Sequence, residues 1–167
     1  MNCLRNSFQK MKNQKNKCLL LIFILYILFV IKVIVFKYSY AQLQEIVNGW
    51  KKDVIWEGLS TANFTPLKTI KMYIRYYKLP GIRSFANLFG NVLIFVPFGM
   101  LLPMIHKASQ NIMVLLANGF LFVLGIEVFQ LFSAFGAFDV DDIMLNCLGV
   151  LIGGVLYHIL TRMFRKY

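Results

Sequence analysis

Four apolar runs, at about 18–36, 88–105, 111–132 and 143–160, alternate with polar stretches along the chain. A helix rises about 1.5 Å per residue, so runs of this length cover the roughly 30 Å of a hydrocarbon core. The first run is broken only by Lys32, near its far end, where a long stem lets the ammonium snorkel to the interface. The second holds Asn87 and Asn91, four apart and so on one helical face, with Pro97 and Gly99 predicting a kink or local opening further along. An amide inside lipid is costly unless paired, so that face must look toward other helices. Pro103, His106 and Lys107 predict a short turn with His106 exposed. The third run carries one deeply placed acid, Glu127, and Gln130 shares its face. The fourth opens with Asp139, Asp141 and Asp142. Steps of four, three and four then place Asp142, Asn146, Gly149 and Gly153 on one face, polar at its mouth and bare further down. The spacing Gly149-x-x-x-Gly153 lets a neighbouring backbone come close. The expected fold is all-α, an integral membrane four-helix bundle.

Between the first two spans the pattern changes. Tyr38 to Leu59 reads as a helix with Trp50 and Trp56 as interfacial anchors. In Asn63-Phe64-Thr65-Pro66-Leu67-Lys68-Thr69-Ile70, Thr65 suits an N-cap and Pro66 the first helical position. Beyond them Leu67, Ile70, Ile74 and Tyr77 fall on one face, with Lys68, Lys71, Arg75 and Lys78 on the adjoining one, and Pro80-Gly81 ends the pattern. The expectation is a basic amphipathic interfacial helix between spans 1 and 2. It either lies flat on anionic lipid or uses Lys68 and Arg75 to hold a phosphate or headgroup.

Composition makes a membrane the solvent to assume. Mean hydropathy is +0.65. Hydrophobic residues make up 59% and aromatic residues 16%, more than a core of this size consumes, so the excess faces lipid. The net charge of +11 gathers outside the apolar runs, which points to anionic lipid and topology, and no nucleic-acid motif is present. A basic segment, 1–17, precedes the first span, and a basic tail, 161–167, follows the last. Both termini are therefore expected in the cytoplasm, although the cations between Lys37 and Arg83 run against that rule on the outer side. Ser39-Tyr40-Ala41 also fits cleavage after Ala41, but the apolar run is long for a signal and Lys37 follows it. Cys18 precedes that run, which excludes a lipoprotein signal. With Cys3 and Cys147 it forms no paired or metal-ligand spacing.

Glu127 and Gln130 come near the outer end of the third span, and the loop 133–139 is short. They converge at one depth with Asp139 and Asp142, and with Asn87 and Asn91 at the outer entrance of the second span. Such an alignment reads as a shared site or a shared hydrogen-bond network. Capping would explain aspartates at a helix start. It does not explain Glu127 and Gln130 on another span.

In their order, the segment 63–70, then Asn87-Leu88-Phe89-Gly90-Asn91 running into Phe95-Val96-Pro97-Phe98-Gly99, then Glu127-x-x-Gln130, then Asp139-Val140-Asp141-Asp142-Ile143 with Asn146 and Gly149, resemble the successive motifs of the VanZ family. The resemblance covers roughly 20–160. It implies a small bacterial membrane protein whose namesake lowers sensitivity to the glycopeptide teicoplanin, and it supplies no catalytic mechanism. Gly136-Ala137 departs from the pattern, since many relatives carry an Arg or a hydroxyl residue there.

Three functions fit these features. The first is a non-catalytic envelope protein in which Asn87, Asn91, Glu127, Gln130, Asp139, Asp142 and Asn146, with Lys68 and Arg75, bind a membrane lipid or a lipid-linked envelope precursor. The second is a membrane enzyme acting on a lipid or polyprenyl phosphate. Glu127 or Asp142 would be its general base, Lys68 or Arg75 would hold the phosphate, and no cofactor is called for beyond a divalent metal on Glu127, Asp139 and Asp142. The third is a small transporter or flippase component. Nothing in the sequence sets the oligomeric state.

Overall fold

The computed structural model describes residues 2–34, 40–49, 53–76, 84–133 and 135–165. The expectations resting on Ser39, Trp50, Tyr77, Lys78, Pro80 and Gly81 lie outside these residues. The elements are α1 (Asn2–Ile34), α2 (Tyr40–Gly49), α3 (Asp53–Thr61), α4 (Lys68–Arg75), α5 (Ser84–Ile105), a short 3-10 turn (Lys107–Gln110), α6 (Ile112–Ser133) and α7 (Val140–Arg165). The fold is an all-α membrane bundle. Four helices carry segments long and apolar enough to cross a bilayer: Asn16–Val33, Asn87–Ile105, Ile112–Ser133 and Val140–Phe164. α1 extends back through the basic N-terminal residues as one helix with the span, and α7 begins three residues before its expected apolar start.

The bundle is built on α5 and α7, which run parallel with their backbones in contact. Side chains of ordinary size would hold two helices 8–10 Å apart. Here Gly149 lies against the carbonyl of Val92, Gly153 against that of Val96, and Gly99 against that of Val150, so a Cβ on any of them would strike backbone. The glycine face read from the sequence thus packs within the chain. α6 returns antiparallel, its Gly119 fitting Val150 and its Leu115 covering Gly154. Phe95, Phe98, Leu115, Val123, Ile126 and Val150 form the core between them, and the Phe98 and Phe122 rings stack at 5.3 Å. α1 crosses antiparallel to α5, with Phe23 against Phe98. Most of its described side chains, among them Leu21, Leu25 and Phe29, remain exposed for lipid. With these directions, the start of α1 and the end of α7 lie at the same end of the bundle.

Pro97 and Pro103 both sit inside α5, which continues to Ile105, so Pro103 does not close the span as its sequence context suggests. A proline deprives a preceding carbonyl of its helical donor, and such a turn is tolerated in lipid when neighbours supply hydrogen bonds. Pro97 leaves the carbonyl of Leu93 without its helical donor, and in the same turn Tyr26 Oη donates to the neighbouring carbonyl of Ile94 at 2.6 Å. The turn that does reverse the chain is held by Ser109, fully buried, whose Oγ bonds His106 Nδ1 at 2.9 Å.

Within the stretch from Tyr38 to Leu59, expected as one helix, the described residues form α2 and α3, and residues 50–52 between them lie outside the description. Ile46 and Val47 of α2 sit beside Phe129 and Phe132, while Gly58 of α3 sits on the carbonyl of Leu131. Trp56 is exposed, as an interfacial anchor requires.

Gly99→Ala and Gly153→Ala should each lower stability by about 1–3 kcal/mol, because the added methyl meets backbone that cannot yield. Gly90→Ala and Gly125→Ala, at positions with open space around them, should be tolerated. Thermal unfolding of the detergent-purified protein separates the two pairs.

Candidate functional site

At the end where α5 starts, α6 ends and α7 begins, a polar network joins the segment 63–70 to the spans. Its backbone part is a parallel bridge between Asn63 and Asp139. The N–H of Asn63 donates to the carbonyl of Phe138 at 2.8 Å, and that of Val140 donates to the carbonyl of Asn63 at 3.0 Å. Asp139 forms the start of α7, its carbonyl accepting from the N–H groups of Asp142 and Ile143. Its carboxylate does three further things. Oδ1 accepts from Asn63 Nδ2 at 2.8 Å and from the N–H of Asp141 at 2.8 Å, while Oδ2 accepts from Thr69 Oγ1 at 2.6 Å. The N–H of Asp139 itself donates to Glu127 Oε2 at 3.0 Å.

Asp141 is the most deeply committed acid. Fully buried in the first turn of α7, it does not cap that helix. Its Oδ1 accepts from the N–H of Leu67 at 2.5 Å, and its Oδ2 from those of Thr69 at 2.7 Å and Ile70 at 3.1 Å. The start of a helix leaves backbone donors without intrahelical partners and carries partial positive charge, so a carboxylate there is doubly favoured. The cap of α4 thus comes from another helix. This overturns the reading of Thr65 as N-cap and Pro66 as first helical residue. Both lie in a turn, where the N–H of Thr65 bonds Asn63 Oδ1 at 3.1 Å, and the helix starts at Lys68 after a left-handed Leu67 with φ 64°. The stripe expected from Leu67, Ile70 and Ile74 is corrected as well. The docked side of α4 is Thr69, Ile70 and Tyr73, whereas Leu67 and Ile74 are exposed. Polar bonds at its start, and not apolar periodicity, set how this helix is rotated.

Around this clamp the structure gathers most of the expected residues. Asn91 Nδ2 donates to Asp142 Oδ1 at 2.5 Å, joining α5 to α7. Asn87 lies further out and donates to Tyr73 Oη at 3.1 Å. Glu127, Gln130 and Asn146 are buried. Gly136 lies over the Gln130 amide, where a Cβ would approach to 2.8 Å, so a larger residue at 136 would have to displace that amide. Asn146, one turn deeper than Asp142, is 2% exposed. Among the described residues, its Oδ1 is a buried acceptor with no hydrogen-bond partner, a costly arrangement that a donor from a bound molecule would relieve. Lys68 and Arg75 are exposed and sit outside this network.

The expected metal set is not formed. Among the described residues, no group of three His, Cys, Asp or Glu side chains is placed to hold a metal ion. Glu127 serves a backbone N–H, and both oxygens of Asp139 are occupied by Asn63, Thr69 and Asp141. Sequence reasoning missed Asn63, Thr69, Tyr73 and Asp141 as members of the network. Asn63 and Thr69 did lie in the 63–70 motif, but their partners on α7, Asp139 and Asp141, are seventy or more residues away, and no local spacing records that. On the far side of α6 from Glu127 and Gln130, Ile46, Val47, Phe129, Phe132, Ser133 and Phe135 line an apolar groove of about 430 Å³.

Against known proteins, the family model described as VanZ/LLP1 matches residues 23–161. Protein VanZ of Enterococcus faecium is 31% identical over 109 residues, covering 62% of this chain and 66% of that protein, just under two thirds of its length. No solved structure matches.

Asp141→Asn turns one of the two accepting oxygens into an NH2 donor, which then faces at least one of the three backbone donors, and removes the charge. It should cost about 1–3 kcal/mol and expose 63–76 to protease before the spans unfold. Asn146→Leu should leave the melting temperature unchanged or raised, since it removes an acceptor that nothing satisfies. Limited proteolysis and thermal melts check both.

Proposed function

This chain belongs to the VanZ/LLP1 family, and from that premise we propose that it binds a headgroup-bearing membrane component, a lipid or a lipid-linked envelope precursor, at the buried acid and amide network, and thereby lowers sensitivity to teicoplanin. The observation that carries this reading is Asn146 Oδ1, among the described residues the one buried side-chain N or O atom with no hydrogen-bond partner. A network whose only task was to hold helices together would gain by an apolar residue at that position. A ligand that donates a hydrogen bond there gives the asparagine a use. Ionisable residues at the level of membrane spans are kept for function more often than for packing, and Glu127 and Asp142 stand on two different spans around the same point.

The orientation belongs to the same proposal. Lys10, Lys12, Lys15 and Lys17 lie before or at the start of the first span, and Arg162 and Arg165 at the end of the last, at the end of the bundle opposite the network. By the positive-inside rule both termini are cytoplasmic in the bacterial cell membrane and the network faces outward, where a glycopeptide acts.

The test is the teicoplanin susceptibility of a Gram-positive strain carrying the wild-type chain, Glu127→Gln, Asp142→Asn or Asn146→Leu at matched membrane levels. Wild type should raise the inhibitory concentration and the three variants should return it to the level of the empty vector. Protection by the variants equal to wild type would make the network packing alone, and no protection by wild type would separate this chain from the family's namesake.

A further inference from the structure

We propose that the outward stripe of α4, formed by Lys68, Lys71 and Arg75, is a docking surface for the anionic phospholipid headgroups of the surrounding bilayer, and that Asp141 is the positioning residue that presents it. The proposal rests on the chain being a membrane protein and not on the ligand assigned to the buried network.

The sequence alone leaves these cations free to serve the acid and amide cluster as phosphate ligands. The rotation of α4 separates the two. Thr69, Ile70 and Tyr73 form the docked side. At 3.6 residues per turn, Lys68, Lys71 and Arg75 fall close to diametrically opposite them, in one stripe about 10 Å long. α4 itself contains no acid. The carboxylates of Asp139 and Asp141, which approach its start, are turned inward onto Asn63, Thr69 and backbone N–H groups. The stripe therefore presents three positive charges with no anion on its own helix to offset them.

Its borders decide the partner. Met72 and Tyr76 flank it on one side and Ile74 on the other, exposed by 47%, 42% and 56%. A cationic stripe between two apolar edges is poorly suited to bulk water and well suited to the headgroup region, where the edges enter the acyl boundary and the cations meet phosphodiesters. The helix is too short to hold this pose alone. The capping carboxylate of Asp141 and the left-handed Leu67 fix its start against α7, so the stripe is carried by the bundle.

The experiment places a single fluorescent reporter on the helix, using the full chain with Trp50→Phe, Trp56→Phe and Tyr76→Trp. It is reconstituted into phosphatidylcholine vesicles containing brominated phosphatidylglycerol or brominated phosphatidylcholine. The expected result is a preference for phosphatidylglycerol at this position of about fivefold or more at low salt, reduced as salt rises. Adding Lys68→Gln, Lys71→Gln and Arg75→Gln should bring the ratio to about one with helix content unchanged. Asp141→Asn, with the cations intact, should lower the ratio partway. Equal quenching by the two lipids in the parent chain, or a preference that survives loss of the three cations, overturns the docking surface. A ratio unmoved by Asp141→Asn overturns its positioning role. None of these outcomes alters the susceptibility result with Glu127→Gln, so the two proposals fail separately.

Discussion

Three backbone N–H groups at the start of a short helix converge on one buried carboxylate, and the extramembrane half of this protein depends on that contact. α4 has eight residues and no buried side chain, so neither intrinsic propensity nor an apolar face can hold it in place. Asp141 does so from α7, and Asp139 adds the bridge to Asn63 and the bond to Thr69. A buried carboxylate is tolerable because the helix start supplies donors and partial positive charge together. The same bonds hold Leu67 in a left-handed conformation that costs a non-glycine residue about 1–2 kcal/mol. Strain of this kind persists only where the surroundings over-determine it.

The membrane half depends on a different constraint, close approach. α5 and α7 lie parallel in direct backbone contact because Gly99, Gly149 and Gly153 carry no side chains to keep them apart. Helices in lipid gain nothing from mutual hydrophobicity, so contact of this closeness is what associates them. It also sets the polar end. With the two helices in register at Gly149 and Val92, Asn91 reaches Asp142, and α6 brings Glu127 to the backbone of Asp139.

Much of this was legible in the sequence for reasons that can be named. Length and hydropathy gave four spans because lipid leaves a helix few alternatives. The steps from Asp142 to Gly153 gave a close-packing face because helical period is a local property. The convergence of Glu127, Asp139, Asp142 and Asn91 followed from counting turns along spans that must cross the same thickness. What could not be read was pairing across long separations. Asp141 resembled an ordinary first-turn acid, and Thr65-Pro66 resembled an ordinary helix start. Only the fold shows that the cap comes from residue 141 and that α4 is consequently rotated so that Ile74 is left outside.

The clamp also has a direction in time. Leu67, Thr69 and Ile70 leave the ribosome more than seventy residues before Asp141, and membrane chains are made and inserted from the N-terminus onward. Throughout insertion of the second and third spans, the start of α4 has no carboxylate to receive it. Its fold is completed only when the last span enters the bilayer. The segment 63–76 is thereby a structural record that the fourth span has been made, and a chain cut short before residue 139 would display that segment unclamped to the proteases that survey unfinished membrane proteins.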